Sequence, residues 1–119
     1  MTATRSRWKT TPLPEARQAL PFERSYSREE FERLAQGHVP QEMEDKWFVF
    51  YEQPWLYLHR SWTGLCIYQV RFEQEHDSAR VVEALSNRDP DQYKETDAVR
   101  DMDFLSMLLD GYAGRPRAS

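Results

Sequence analysis

Polar and apolar positions along the chain fall into distinct regimes. From Met1 to about Pro21 no period is sustained, and Pro12, Pro14 and Pro21 interrupt a polar, basic stretch. This reads as a flexible basic arm over residues 1–21, with Trp8 or Leu13 anchoring on the rest. Ser27-Arg28-Glu29-Glu30 then has the form of a capping box, with Ser accepting from the N3 amide and Glu reaching back to the cap. Phe31, Leu34 and Ala35 follow at helical spacing and Gly37 is a natural stop, so a short amphipathic helix is predicted over 28–36.

From Met43 to Glu73 the period shortens to two. The run MEDKWFVFYEQPWLYLHRSWTGLCIYQVRFE holds three apolar segments rich in aromatic residues, split at Gln53-Pro54 and Thr63-Gly64. Large rings are costly in water and pack well on a pleated surface, which predicts strands over about 46–52, 55–62 and 65–73. Residues 79–87 read as a fourth strand or a helix start, and the β-branched pair Val81-Val82 with the turn that follows favours the strand. Thr96 can cap a helix over about 97–110, with Val99, Met102, Leu105, Leu108 and Leu109 on its buried side and Gly111 as its end. Residues 113–119 read as a flexible tail. The expected architecture is α+β: one domain over 22–112, a four-stranded antiparallel meander with an N-terminal and a C-terminal helix packed on one face.

Alternation also assigns faces. Trp47, Val49 and Tyr51 oppose Phe48 and Phe50; Trp55, Tyr57 and His59 oppose Leu56, Leu58, Arg60 and Trp62; Leu65, Ile67, Gln69 and Arg71 oppose Cys66, Tyr68, Val70 and Phe72. Both faces are thus partly apolar. Two helices cover one of them, so aromatic residues of the other must meet a tail, a partner or water.

Composition narrows the partners. The 119 residues suffice for one core without staples, and 30% charged residues give a well-solvated surface. A net charge of −4 makes duplex nucleic acid an unlikely partner, since phosphate binding needs a basic face. Bases dominate the N-terminal region, whereas Glu73, Glu75, Asp77, Glu83, Asp89, Asp91, Glu95, Asp97, Asp101 and Asp103 crowd the C-terminal third. Cys66 is the only cysteine, so no disulfide framework exists, and its apolar neighbours predict a buried thiol. No apolar stretch approaches the ~20 residues that span a bilayer, and the basic N-terminus lacks a secretory apolar segment; a cytoplasmic location without membrane attachment is expected.

Candidate chemistry centres on His59-Arg60-Ser61-Trp62-Thr63-Gly64. An imidazole, a guanidinium fork and two hydroxyls at a sheet edge suit a phosphate or carboxylate, with Arg71 joining from the next strand. The same residues also read as turn chemistry, a core Trp62 and an Arg60–Glu83 pair. Asn87-Arg88-Asp89-Pro90-Asp91-Gln92-Tyr93 is a polar, turn-rich segment that reads as a functional loop or as helix capping. His38, His59 and His76 stand at spacings that build no metal site, and no nucleophile elbow, phosphate loop or dinucleotide fingerprint appears, so no cofactor is expected.

The pattern MEDKWF, then HRSWTG, then an aromatic strand and VEALSNRDPDQY resembles a small, uncharacterised bacterial family over about Met43 to Leu109, with Arg60-Ser61-Trp62-Thr63-Gly64 its most specific part. The resemblance implies a folded domain of bacterial origin and carries no activity. The residues themselves point to a non-catalytic binding module acting through an aromatic and Arg-bearing sheet face: Trp47, Tyr57, His59, Arg60, Trp62 and Arg71. Its partner would be a second copy, another protein or a small anionic molecule. The alternative is a small hydrolase or transferase, with His59 as base, Arg60 and Arg71 holding an anionic substrate, and Glu83 or Asp89 orienting the His.

Overall fold

The computed structural model describes residues 2–115. Their order is a single 3-10 turn (Arg5–Arg7), β1 (Arg17–Leu20), β2 (Ser25–Ser27), α1 (Arg28–Gln36), β3 (Trp47–Glu52), β4 (Trp55–Arg60), β5 (Cys66–Gln74), β6 (Ser78–Asn87) and α2 (Ala98–Ala113). The fold is α+β, with two α-helices and one six-stranded sheet whose strand pairings are antiparallel. Short turns join β3 to β6 as a meander. The sheet nevertheless has six strands where four were expected, because β1 and β2 both pair with the long β6. β1 lies along the end of β6 (Arg17↔Asn87, Leu20↔Ala84) and β2 along its start (Ser25↔Arg80, Ser27↔Ser78).

The arm expected over 1–21 therefore needs correction. Residues 17–20 are an edge strand, and Ala3, Leu13 and Leu20 are buried. The residues before β1 form a strap across the sheet. The Ala3 amide donates to Gln36 O at 2.7 Å, Trp8 Nε1 to Ser61 O at 2.7 Å and the Thr11 amide to Gly64 O at 2.8 Å. Backbone pairing does this work, so few side chains are buried and no hydrophobic period marks it. The expected tail is also shortened. Ala113 is a buried residue of α2, Gly114 closes the helix at φ 77, and Arg115 pairs with Glu30 at 2.8 Å; residues 116–119 of that tail lie outside the described residues.

Both helices follow their local chemistry. Ser27 Oγ accepts from the Glu30 amide while Glu30 Oε1 accepts from the Ser27 amide, closing the capping box, and α1 has the predicted bounds. Gly37 at φ 71 ends it; a Cβ there would stand 2.1 Å from Val49 O. In α2 the cap is Asp97, one residue after the expected Thr96, and its Oδ1 accepts from the Val99 amide at 2.8 Å. Val99 is exposed and Asp101 is buried in its stead, the reverse of what their polarity suggests.

The helices cover one face of the sheet. Leu34, Leu105 and Leu109 meet Trp47, Val49, Leu56, Leu58, Tyr68, Val70 and Phe72 there, as alternation predicts. A register shift between Leu58 and His59 turns Ile67 into this core and pairs Cys66 with His59, reversing the expected sides of those two residues. On the other face Phe48, Phe50 and Tyr57 pack with Ala3, Trp8 and Val39. The surplus aromatic face is thus covered by the chain's own N-terminal strap.

Two carboxylates of α2 fasten it to the sheet. Fully buried Asp101 accepts from the hydroxyls of Tyr68 and Tyr93, each at 2.7 Å, and pairs with Arg88. Arg88 also donates to Gln18 Oε1 and Ser86 Oγ, each at 2.8 Å. Nine residues on, Asp110 accepts from Arg24 and from Tyr26 Oη at 2.9 Å. The segment Asn87–Tyr93 is accordingly a structural clasp.

Candidate functional site

The six residues singled out by sequence do not converge. Trp47 is buried under α2, with the Arg60 guanidinium 4.6 Å above its ring. Tyr57 and His59 lie on the opposite face, beneath the strap. Arg71 is also engaged away from Arg60: it pairs with Glu83 at 3.2 Å and lies 6.0 Å over Trp55. Glu83 is therefore the partner of Arg71, not of Arg60. Trp62 falls beyond the end of β4, and its ring is 65% exposed, so it is not a core residue. Adjacent residues of a strand point to opposite faces, which is why His59 and Arg60 cannot share a pocket.

His59 is 1% exposed and stacks on Phe50 at 5.5 Å. Its Nδ1 lies 2.8 Å from Gly64 O; a carbonyl only accepts, so Nδ1 donates. Nε2 is buried with no hydrogen-bond partner among the described residues. Burial is the main cause that depresses its pKa below the ordinary 6.5, and the nearby Arg5 guanidinium adds to it. A neutral ring enclosed by Phe48, Phe50 and Tyr57 has no route to a substrate, which disfavours His59 as a base.

The sign of that shift sets a pH dependence. A folded pKa below 6.5 means that the unfolded chain takes up the proton first, so stability falls as pH drops from 6.5 through the folded value. Guanidinium unfolding midpoints should therefore fall from pH 8 to pH 6, and His59→Phe should lose most of that slope. A slope untouched by the substitution would mean that His59 is solvated. A separate acid limb belongs to Glu30, held at about 2 by Arg115 and the Ser27 amide; its contribution disappears as pH falls from 4.5 towards that value.

Beneath the strap, Cys66 is also sealed, and burial pushes its thiol up to about 12. Such a thiol is inert as a nucleophile at neutral pH.

What remains open to solvent is built around Trp62. Its Nε1 donates to Met43 O at 2.9 Å, which holds the indole upright beside Met43, itself 74% exposed. Ser61 fixes the base of this loop, donating from Oγ to Asp45 O at 2.6 Å and from its amide to Lys46 O at 2.9 Å. One side of the indole faces a cleft of about 660 Å³ walled by Trp8, Lys9, Pro40, Met43 and Ser61, with Glu42 at its edge. The other side faces a cleft of about 300 Å³ lined by Lys46, Arg60, Thr63, Leu65 and Gln92. Gly64 lets the strap close beside the loop: at φ 79, a Cβ there would lie 2.8 Å from Lys9 O.

Of the residues expected at a site, Arg60 and Trp62 line this one. Met43, Lys46, Thr63 and Gln92 complete it. Met43 and Lys46 stand in the MEDKWF segment, and their place beside the second hairpin follows from the pairing Trp47↔Arg60. Gln92 arrives from far along the chain, carried by the clasp, and no local signal marks it. Among the described residues no helix is long and apolar enough to cross a membrane. Comparison with protein-family models, with curated proteins and with solved structures found no match to this chain, so its function is argued from these residues alone.

Proposed function

We propose that the protein is a non-catalytic binding module whose site is the Trp62 surface with its two flanking clefts. The observation that carries this reading is the exposed indole itself. Trp62 is oriented by a hydrogen bond to backbone, stands between two concavities and has Met43 exposed beside it. Trp, Met and Arg are the residue types enriched at binding surfaces, and rings held in advance lose little entropy on binding. The strap over Phe48 and Phe50 supports the same placement, because it removes the broad sheet face from competition.

Trp62→Ala should change stability by under about 1 kcal/mol, since the ring is mostly solvated and forms one exposed hydrogen bond. Addition of naphthalene-2-methanol, a neutral aromatic probe, should shift the Trp62 indole N–H resonance in a saturable way and leave Trp47 unmoved. Loss of that shift in Trp62→Ala, with the melting temperature kept, is the expected result. A probe that moves none of the indole resonances, or only those of Trp47 and Trp55, would place binding elsewhere or nowhere.

A further inference from the structure

We infer that the smaller cleft, between Trp62 and Arg60, is an oxyanion-binding site that takes a small organic carboxylate or phosphate whose flat apolar body lies on the indole. This rests on the reading of Trp62 as a binding surface and adds the chemistry of what binds. Each polar side chain of this cleft offers a hydrogen and none carries a negative charge. Lys46 is exposed and has no carboxylate partner among the described residues. Arg60 stacks on Trp47, and no carboxylate among the described residues claims its donors. Elsewhere Arg5, Arg24, Arg71, Arg80, Arg88 and Arg115 have acidic partners, and Arg17, Arg28, Arg33 and Lys94 donate to backbone carbonyls. Lys46 and Arg60 thus bring two cations without a carboxylate partner among the described residues into one cleft.

The neutral groups agree. Thr63 Oγ1 accepts from the Leu65 amide at 3.3 Å, and its own hydrogen has no acceptor among the described residues. The amide of Gln92 is oriented by a chain of bonds from the clasp. The Asp89 amide donates to Asn87 Oδ1 at 2.8 Å, so Asn87 Nδ2 must be the donor to Gln92 Oε1 at 2.9 Å. Gln92 therefore spends its oxygen on Asn87 and keeps its NH₂ group free. An ammonium, a guanidinium, a hydroxyl and an amide NH₂ around about 300 Å³, walled by Trp62 and Leu65, match an anion of several acceptor oxygens on a flat body. Arg60 is held in advance by its stacking, which suits planar, paired hydrogen bonds to a carboxylate or phosphate.

The test compares three ligands of one shape on the full chain: 2-naphthoate, 2-naphthyl phosphate and naphthalene-2-methanol, each titrated by calorimetry and by the Trp62 indole resonance. At least one anion should bind tenfold or more tightly than the alcohol, and raising salt should narrow that gap. Lys46→Gln with Arg60→Gln should erase the tenfold preference, bringing the anions to within about twofold of the alcohol measured on the same variant. Lys46→Gln alone, at an exposed position, should weaken the anion without moving the melting temperature, which guards against a folding defect at Arg60. The tighter of the two anions names the head group. Equal binding of alcohol and anions, with Trp62 responding to both, would overturn the oxyanion site and leave the Trp62 surface standing. Absence of binding by all three would overturn both.

Discussion

Replacing Asp101 by alanine is expected to destabilise the fold by about 3–5 kcal/mol, the range for removing one partner of a buried ion pair. The carboxylate is fully buried and accepts from two phenols while facing Arg88, whose side chain is 13% exposed. Alanine would leave that guanidinium with its neutral acceptors and no counter-charge. It would also strip two hydroxyls of their acceptor, although Tyr68 and Tyr93 keep a mutual contact at 2.9 Å. Burial is the leading cause raising the Tyr68 and Tyr93 phenols, Tyr93 to about 12, so neither can take over the negative charge at neutral pH. Chemical denaturation with a two-state fit checks the number. Pairing Asp101→Leu with Arg88→Met should recover part of the loss, because apolar side chains of similar volume are tolerated where a lone charge is not. If Asp101→Ala cost under about 1 kcal/mol, α2 would be held by its leucines and the Asp110 contacts, and the Asp101 cluster would contribute little.

That carboxylate also marks where the sequence stops being legible. The capping box, the meander from β3 to β6 and the sidedness of Trp47, Val49 and Tyr51 follow from periods of 3.6 and 2, and the structure has them. Asp101 stands four residues before Leu105 on the buried stripe of α2, where its charge argues against burial, and only the phenols and Arg88 converging from other elements make that burial tolerable. The bulge at Leu58/His59 was equally hidden, since one extra residue reverses Cys66 and Ile67 without altering composition. At the candidate site, Trp62 and Arg60 were visible as chemistry but were assigned to a face with Tyr57, His59 and Arg71. Alternation within β4 already separates His59 from Arg60; the grouping by residue type overrode it. Gln92 was invisible because its position depends on a clasp formed by long-range contacts.

Deleting residues 1–21, so that the chain starts at Phe22, should have the second large effect and distinguishes a strap from an arm. A flexible arm could be removed at no cost. The strap and β1 together carry buried Leu13 and Leu20 and half-buried Trp8, which stacks on Phe48 at 6.2 Å. At about 1.5–3 kcal/mol for each fully buried large side chain, their loss alone approaches the lower end of the 5–15 kcal/mol stability usual for a domain. The deletion also removes the β1 pairing along β6 and the Arg5–Glu52 pair over Phe50 and Tyr57. Phe48, Phe50 and His59 would then face water as one apolar patch at the end of the sheet, a surface of the kind that drives association. The truncated chain should therefore melt far below the full chain and scatter light as higher-mass species, while the full chain gives one sharp transition. The single substitution Trp8→Ala should show the same trend in milder form, with the Nε1–Ser61 bond lost and the ring's cover over Phe48 removed. An equal melting temperature and a monomeric mass for the truncated chain would show that β3 to β6 with the two helices are self-sufficient, and that the strap is an addition to a finished fold.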